Sequence, residues 1–365
     1  MNETSRLASL DGLRGLAAVA VMTFHFNYFF LPQASITTAL PFLGRAYLGV
    51  DLFFLMSGFV MAHVYGRMLS LNWRTHWWDF ATMRFARIYP LFALTTLVMV
   101  ITHALSHLPL SSISLSGPSL ALQPLLLQNW YVGLNWNYAS WSISTEAAAY
   151  AVFVFAAGPL VRGEYPRLIA AICIAVLAAL GISHGGRLHV FYGFSALLRT
   201  LAEFSLGALL YRVHRADAAI PGKWLAMFAA VCVALAVLTR WDIPMVGVLA
   251  CLILYGIDPT TMLARLLNSG PAVALGAWSY SIYLWHAPTH YAVMAVFSAL
   301  GHPTSNLDTS SAKLLMLATI LAVVGLSAFT FKYFETPARR MIRRTLLPRE
   351  GLLNRSSPRW GTVDR

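Results

Sequence analysis

The amino-acid sequence predicts an all-α protein, a polytopic transmembrane helix bundle of about ten spans with both termini in the cytoplasm. Three observations predict it: charged residues are few, long apolar runs recur, and basic residues concentrate in alternate loops. Of the 365 residues, 58% are hydrophobic and only 11% are charged, and the mean hydropathy is +0.64. Soluble domains carry about 25% charged residues. A chain with so few charges needs lipid as its solvent.

Apolar runs long enough to cross about 30 Å of hydrocarbon recur along the chain. The predicted helices cover residues 13–31, 47–66, 88–106, 147–161, 167–183, 196–212, 224–240, 243–257, 272–297 and 313–334. No internal repeat or separate soluble domain is evident, so residues 1–345 form one predicted transmembrane domain. Residues 346–365 are polar and basic, and we expect a disordered cytoplasmic tail there.

The placement of Lys and Arg sets the predicted orientation. If both termini are cytoplasmic, about 21 of these 26 residues lie on the inner side, as the positive-inside rule requires. The predicted outer segments hold only Arg45, Arg187, Arg199, Arg240 and Lys313. The formal charge of +12 is therefore spread over loops that face anionic lipid. It does not form the single basic face of a nucleic-acid binder, so membrane lipids are expected partners and nucleic acid is not.

The first predicted helix carries two polar residues on one face. Arg14 and His25 are eleven residues apart, which places both side chains on the same stripe, about 16 Å apart along the axis. Asp11 precedes Arg14 by three positions and shares that face. The pattern fits an anion anchor at one end and a general base at the other. It fits equally an interfacial Arg with a packed, hydrogen-bonded His.

A second pair of cations lies at the inner end of the third predicted helix. Arg84 and Arg87, in RFARIYP, stand at positions i and i+3 and present two guanidinium groups on one side. Such a pair suits a phosphate, which accepts bidentate hydrogen bonds. Ordinary anchoring at the inner membrane surface is the alternative.

A third group, NWNYASWSISTEAAAY, lies where an outer segment enters the fourth predicted helix. Trp141 and Ser142 precede Glu146, and Ser144 or Thr145 is expected to cap the helix. One interpretation makes Glu146 an acidic first-turn residue that favours the helix dipole. The other has it orient a catalytic group or bind acceptor hydroxyls.

The remaining candidates lie in three further segments. Asp51, Ser57 and Gly58 belong to the second helix, and the two small residues permit close helix contact. Tyr283 and His286, in YSIYLWHAP, are further candidates, and His286, in the middle of the ninth helix, is expected to be functional or to face a cavity. We expect Glu335, in FETPARR, to pair with neighbouring arginines at the inner surface.

The sequence motifs of several other kinds of catalytic or binding site are absent. The sequence contains no Gly-rich phosphate loop, no His-x4-Asp pair and no recognisable hydrolase domain. Its three cysteines all lie in apolar segments without metal-ligand spacing, so neither a disulfide nor a metal site is expected.

The ordered motifs resemble one known family. Over nearly its whole length the chain is similar to the acyltransferase-3 family of bacterial membrane O-acyltransferases. The family's Arg-or-Lys, ten residues, then His pattern is matched by Arg14 and His25, its Arg-x-x-Arg pair by Arg84 and Arg87, and its Trp-Ser and Glu motif by Trp141, Ser142 and Glu146. GVDLFFLMSGFVMA, YSIYLWHAP and FKYFETPARR also match. Many relatives add a periplasmic esterase-like domain, and we expect the form without it.

The resemblance implies a reaction and a location. In that family an acetyl or other short acyl group passes from cytoplasmic acyl-CoA to a hydroxyl of an extracytoplasmic acceptor, in the bacterial inner membrane. Acceptors are sugars of lipopolysaccharide, exopolysaccharide, peptidoglycan or glycolipids, and some members modify antibiotics. Acyl-CoA is then a co-substrate, and no permanently bound cofactor is expected.

Joined to the residue patterns, the resemblance assigns roles. His25 is expected to be the general base, with Arg14 and Glu146 also in the catalytic group. Arg14, Arg84 and Arg87 are expected to hold the CoA phosphates. The acceptor site is expected to comprise Trp141, Ser142, Glu146, Tyr283 and His286, and the orienting residues are Asp11, Asp51, Ser57, Gly58 and Glu335.

Two other functions share part of this pattern. A transporter or flippase for a lipid-linked sugar or small solute would also have many spans and intramembrane His25 and His286. Transporters often show inverted repeats, and none is evident here. A non-catalytic subunit of a glycan-assembly complex would leave the register of Arg14 and His25 without a purpose.

Overall fold

A computed structural model describes residues 3–31, 41–106, 117–130, 135–216 and 220–347. The described residues contain no strand and twelve α-helices, which confirms the all-α prediction. The helices are α1 (Glu3–Phe30), α2 (Gly49–Ser106), α3 (Gly117–Leu122), α4 (Trp141–Gly158), α5 (Pro166–Ser183), α6 (Gly193–Arg215), α7 (Gly222–Thr239), α8 (Ile243–Ile257), α9 (Met262–Leu267), α10 (Gly270–Ala299), α11 (Thr309–Thr330) and α12 (Thr336–Leu346). Nearly all of the predicted tail, 346–365, lies outside the described residues.

Each of the ten predicted segments coincides with a helical stretch, except that Leu31 and Arg240, the last residues of the first and seventh segments, lie just beyond α1 and α7. The second and third are two arms of α2, which runs through the predicted inner loop and breaks only at Asn72, where φ is −154° and ψ is 84°. Its second arm carries Pro90 at the inner end of the third predicted segment.

Within the described residues, six helical stretches are long and apolar enough to cross a membrane: Leu43–Ser106, Tyr138–Gly163, Pro166–Ser183, Gly193–Arg215, Gly222–Thr239 and Thr309–Leu346. Large apolar side chains on α5 and α7 lie exposed, among them Ile172, Ile182, Phe228 and Leu238. Such a surface is stable against lipid and not against water. The chain is therefore a multi-pass membrane protein, while the count of ten spans and the cytoplasmic termini remain predictions.

Glycines bring the central helices together. A Cβ atom at Gly15 of α1 would lie 2.5 Å from the backbone nitrogen of Gly276 in α10, so these helices cross in backbone contact. From that crossing α1 and α10 run parallel, with His25 beside His286. The predicted order makes α1 and α10 the first and ninth spans. Odd-numbered spans cross a membrane in the same direction, so the parallel arrangement agrees with that order.

A second close crossing joins α2 to α6. A Cβ atom at Gly58 would lie 1.8 Å from the carbonyl oxygen of Phe204, and one at Gly207 would lie 1.9 Å from that of Leu55. The prediction that Gly58 permits close helix contact is confirmed.

The same crossing contains a buried ion cluster. The guanidinium of Arg199 in α6 donates to Asp51 at 3.1 Å and 2.5 Å, and it lies 3.5 Å from Glu203. All three side chains are at most 2% exposed. The placement of Arg199 in an outer segment is therefore wrong, because this residue lies inside α6 and neutralises carboxylates in the core.

Candidate active site

The parallel packing of α1 and α10 creates a cluster of imidazole rings. The ring centroids of His25 and His286 are 5.0 Å apart, and the ring of Tyr138 lies 5.3 Å from each. One turn beyond His286, His290 stacks on Phe29 at 4.1 Å. His286 and His290 are buried, whereas His25 is half-buried. We call His25, His286, His290 and Tyr138 the imidazole cluster.

Hydrogen bonds to carbonyl oxygens define the tautomer of the two facing rings. Nδ1 of His25 lies 2.9 Å from the carbonyl oxygen of Val21, and Nδ1 of His286 lies 2.5 Å from that of Tyr283. A carbonyl oxygen only accepts, so each Nδ1 carries the proton and each Nε2 keeps a lone pair. Nε2 of His286 and the hydroxyl of Tyr138 are buried and have no hydrogen-bond partner among the described residues. The cluster therefore offers basic nitrogens and a hydroxyl to a ligand.

Two of the expected acceptor residues adjoin this cluster. The hydroxyl of Ser142 donates to that of Tyr283 at 2.9 Å, and the ring of Tyr283 lies 5.7 Å from that of His286. Trp141 is buried beside them, with the guanidinium of Arg199 over its ring at 5.5 Å. Trp141 therefore connects this region to the buried ion cluster.

Glu146 lies inside the helix bundle, between α2 and α4, and not at the outer helix end that its sequence position indicated. Its Oε1 accepts hydrogen bonds from the hydroxyls of Ser57 and Tyr150, both at 2.6 Å. Ser57 thus contributes a hydrogen bond as well as small size. Glu146 is also close enough to Tyr283 to interact with it electrostatically.

The expected helix cap at Ser144 or Thr145 is wrong. Helix α4 begins at Trp141, so both residues lie within it, and their hydroxyls donate to carbonyl oxygens of Leu126 and Ser142. Glu146 then lies in the second turn, beyond the first-turn position that favours the helix dipole.

Arg84 and Arg87 point to different partners, near the end of the bundle that the sequence predicts to be cytoplasmic. Arg84 donates to the hydroxyl of Tyr65 at 2.9 Å, and its guanidinium lies over the Tyr150 ring at 5.9 Å. Arg87 lies 3.6 Å from Glu335 and 5.4 Å from the centre of the Tyr280 ring. The expected pairing of Glu335 with arginines is present in the structure.

Arg14 completes this group of cations. It donates to Asp11 at 3.2 Å and keeps 29% of its side chain exposed. Both Arg14 and Arg84 are near enough to Arg87 to repel it electrostatically. We call Arg14, Arg84, Arg87 and their neighbour Arg339 the guanidinium cluster.

Polar side chains lie in series between the two clusters. Arg84 contacts Tyr150, Tyr150 donates to Glu146, and Glu146 lies within electrostatic reach of Tyr283. Tyr283 then contacts His286, which faces His25. We call this series the polar track. The two ends of the track correspond to the two polar residues of α1, since the rise of that helix separates Arg14 from His25 by about 16 Å.

Sequence reasoning missed several residues of this site. Tyr138 and Arg199 stood in no recognisable spacing, whereas His290 follows His286 by one helical turn, a signal that was available. His189, between α5 and α6, lies beside Phe24, with ring centroids 6.1 Å apart. Burial, followed by the charge of Arg199, lowers the pKa of His189, which favours a neutral ring.

Fold and site together define a multi-pass helical membrane protein with a polar interior that joins arginines to histidines. The profile of the acyltransferase-3 family, described as an acyltransferase domain, matches residues 7–331, and the chain belongs to this family.

Curated relatives carry acyltransferase names. Acyltransferase MdmB from Streptomyces mycarofaciens is 29% identical over 372 residues, which cover 93% of each chain. O-acetyltransferase OatA from Staphylococcus aureus is 22% identical over 92% of this chain and 57% of its own length. Peptidoglycan O-acetyltransferase OatA from Listeria monocytogenes is 23% identical over 91% and 56%. The chain thus spans nearly all of MdmB but little more than half of either OatA. No solved structure matches it.

Proposed function

We propose that the protein transfers an acetyl or another short acyl group from cytoplasmic acyl-CoA to a hydroxyl of an extracytoplasmic carbohydrate or glycolipid, in the bacterial inner membrane. The observation that carries this proposal is the polar track. Its residues lie between a guanidinium cluster suited to phosphates and an imidazole cluster suited to proton transfer, in a chain that belongs to an acyltransferase family.

The donor binds through its phosphates. Guanidinium groups bind phosphate through paired hydrogen bonds, and Arg14, Arg84 and Arg87 supply three of them within one region. The pantetheine arm of the donor then follows the polar track and brings the thioester to His25. Positioning both substrates in a dry interior contributes much of the rate.

The acceptor binds at the imidazole cluster. Its hydroxyl gives a proton to Nε2 of His25 while the oxygen attacks the thioester carbonyl. The C–S bond breaks, the new ester forms, and the proton passes from His25 to the leaving thiolate to give free CoA. Trp141, Ser142, Glu146, Tyr283 and His286 hold and orient the acceptor. Direct transfer is favoured over a covalent intermediate, because the sequence holds no serine or cysteine at a recognisable nucleophile spacing.

The relatives support a carbohydrate acceptor without defining it. OatA from Listeria monocytogenes is named a peptidoglycan O-acetyltransferase. MdmB, whose length the chain matches more fully, is named only as an acyltransferase.

The test uses purified full-length protein in lipid nanodiscs with radiolabelled acetyl-CoA and solubilised bacterial surface glycans. We expect release of free CoA and label on the glycan fraction, and loss of both with His25→Ala. Transport of a solute without consumption of acetyl-CoA would favour a transporter and refute the proposal.

A further inference from the structure

One member of the guanidinium cluster, Arg339, lies beyond residue 331, where the match to the family model ends, in the segment FKYFETPARR. We propose that Glu335 and Arg339 belong to the donor-phosphate site: in the donor-free protein Glu335 holds Arg87 and Arg339, and a phosphate group of the donor takes its place. This inference rests on the proposed function. It adds one phosphate-binding residue, Arg339, and one competing carboxylate, Glu335.

Glu335 is poorly bonded for a buried carboxylate between two arginines. It is 3% exposed, and its Oε2 lies 3.6 Å from both Nη1 of Arg87 and Nη2 of Arg339. Charge-assisted hydrogen bonds between guanidinium and carboxylate measure about 2.7–2.9 Å, so Oε2 makes none. Only Oε1 is bonded, by the hydroxyl of Ser281. A weakly held carboxylate is one that a stronger anion displaces.

The arginines around it have free donors. Nε of Arg84 and Nε and Nη2 of Arg339 are buried and find no hydrogen-bond acceptor within the described part of the chain. Buried charged donors without acceptors raise the free energy of the folded state. Phosphate oxygens would accept from all three groups.

The local charge calls for a multivalent anion. Arg339 interacts electrostatically with Arg84 and Arg87, and Arg87 with Arg14, so four guanidinium groups share one region. Within the described residues, the carboxylates that form ion pairs with these four groups are Asp11 and Glu335. The excess of positive charge suits a nucleotide diphosphate carrying a further phosphate.

The chain places Glu335 in this position by a local widening of the helix. Pro337 has no N–H and its ring crowds the carbonyl four residues earlier, so the regular ladder cannot continue through it. Phe331–Glu335 forms a π-turn, in which the N–H and the hydroxyl of Thr336 both donate to the carbonyl oxygen of Phe331. Such single π-turns occur frequently at functional sites.

The experiment measures binding of CoA by full-length protein in phosphatidylcholine nanodiscs, using calorimetry, for the wild type and three single variants. Arg339→Gln should weaken CoA binding about tenfold, because a charged donor is lost. Glu335→Gln should tighten it severalfold, because the competing charge is gone. Arg344→Gln, an exposed arginine farther along α12, is the matched control and should bind as the wild type does.

Several results would overturn the inference. Wild-type affinity in Arg339→Gln would remove Arg339 from the site, and weaker binding in Glu335→Gln would make Glu335 a support for the arginines. If Arg339→Gln does not fold, Arg339→Lys keeps the charge and loses the planar fork, and it should still bind CoA severalfold more weakly.

Two further measurements distinguish failure of this inference from failure of the proposed function. If the Arg339 effect appears only in phosphatidylglycerol nanodiscs, its ligand is a lipid head group and the inference falls. If the wild-type protein binds no CoA under any condition, the proposed function itself fails. Wild-type binding with an unaffected Arg339→Gln variant rejects the inference alone.

Discussion

The imidazole rings of His25 and His286 face each other at 5.0 Å, each holding its Nδ1 proton against a backbone carbonyl of its own helix. The two Nε2 atoms are thereby left as hydrogen-bond acceptors. Only His25 is half-exposed, while Nε2 of His286 is buried. The two rings therefore differ in access, and we expect them to differ in role.

His25→Ala should lower kcat by about 10²–10⁴, the range that a general base contributes. The protein should remain folded, because within the described residues the hydrogen bond of His25 is to a carbonyl of its own helix. Steady-state assays with labelled acetyl-CoA measure the loss, and gel filtration with thermal unfolding confirms integrity. His302→Ala, an exposed histidine beyond α10, should retain wild-type activity. Substantial turnover by folded His25→Ala would exclude His25 as the base.

His286→Ala should impair use of the acceptor more than use of the donor. His286 lies next to Tyr283 and His25 at the end of the polar track that is remote from the arginines. The KM for acyl-CoA should therefore change little, while kcat/KM for the acceptor falls at least about tenfold. Kinetics with each substrate varied separately distinguish the two. A rise confined to the KM for acyl-CoA would contradict this assignment.

Charge reversal at Arg84 or Arg87, by R84E or R87E, should raise the KM for acyl-CoA by about tenfold or more. Phosphate contacts made equally in the ground state and the transition state change KM and leave kcat nearly intact. The matched control is Arg74→Glu, an exposed arginine of α2 that stacks on Trp73. The measurement is initial rate against acyl-CoA concentration. An unchanged KM in both variants would remove these arginines from the donor site.

Hydropathy predicted the helices because each apolar run must satisfy its backbone internally in lipid. It could not predict that the second and third segments are arms of one continuous stretch. The polar residues between them, around Asn72, have the composition of a loop, yet all but Asn72 keep helical geometry.

The part of the site that could be predicted from the sequence is the pair of residues carried by a single helix, α1. The spacing of Arg14 and His25 determines their common face, so the register followed from the helix period. Partners on other helices leave no such signal. The pairing of Arg199 with Asp51 and the depth of Glu146 depend on how α2, α4 and α6 pack, and sequence spacing does not encode that.

Arg199→Met should destabilise the fold strongly. Removing one partner of a buried ion pair costs about 3–5 kcal/mol, because Asp51 and Glu203 are left without compensation. Arg162→Met provides the comparison, since its pair with Glu164 is about half-exposed and should contribute about 0–1 kcal/mol. Thermal unfolding in detergent measures both. Equal midpoints for the two variants would show that the buried cluster does not hold α2 to α6.

Gly58→Ala should lower both stability and activity. The new Cβ would lie 1.8 Å from the backbone oxygen of Phe204, so α2 and α6 must separate. The adjacent Ser57 would move with α2 and lose its 2.6 Å hydrogen bond to Glu146. Gly325→Ala is the matched control: no atom lies within 4 Å of its Cβ position, so stability should be unchanged or slightly higher, since Ala favours helix by about 1 kcal/mol. Thermal midpoints and acetyl transfer rates test both variants, and a Gly58→Ala protein as stable and active as Gly325→Ala would show that the helices tolerate separation at this crossing.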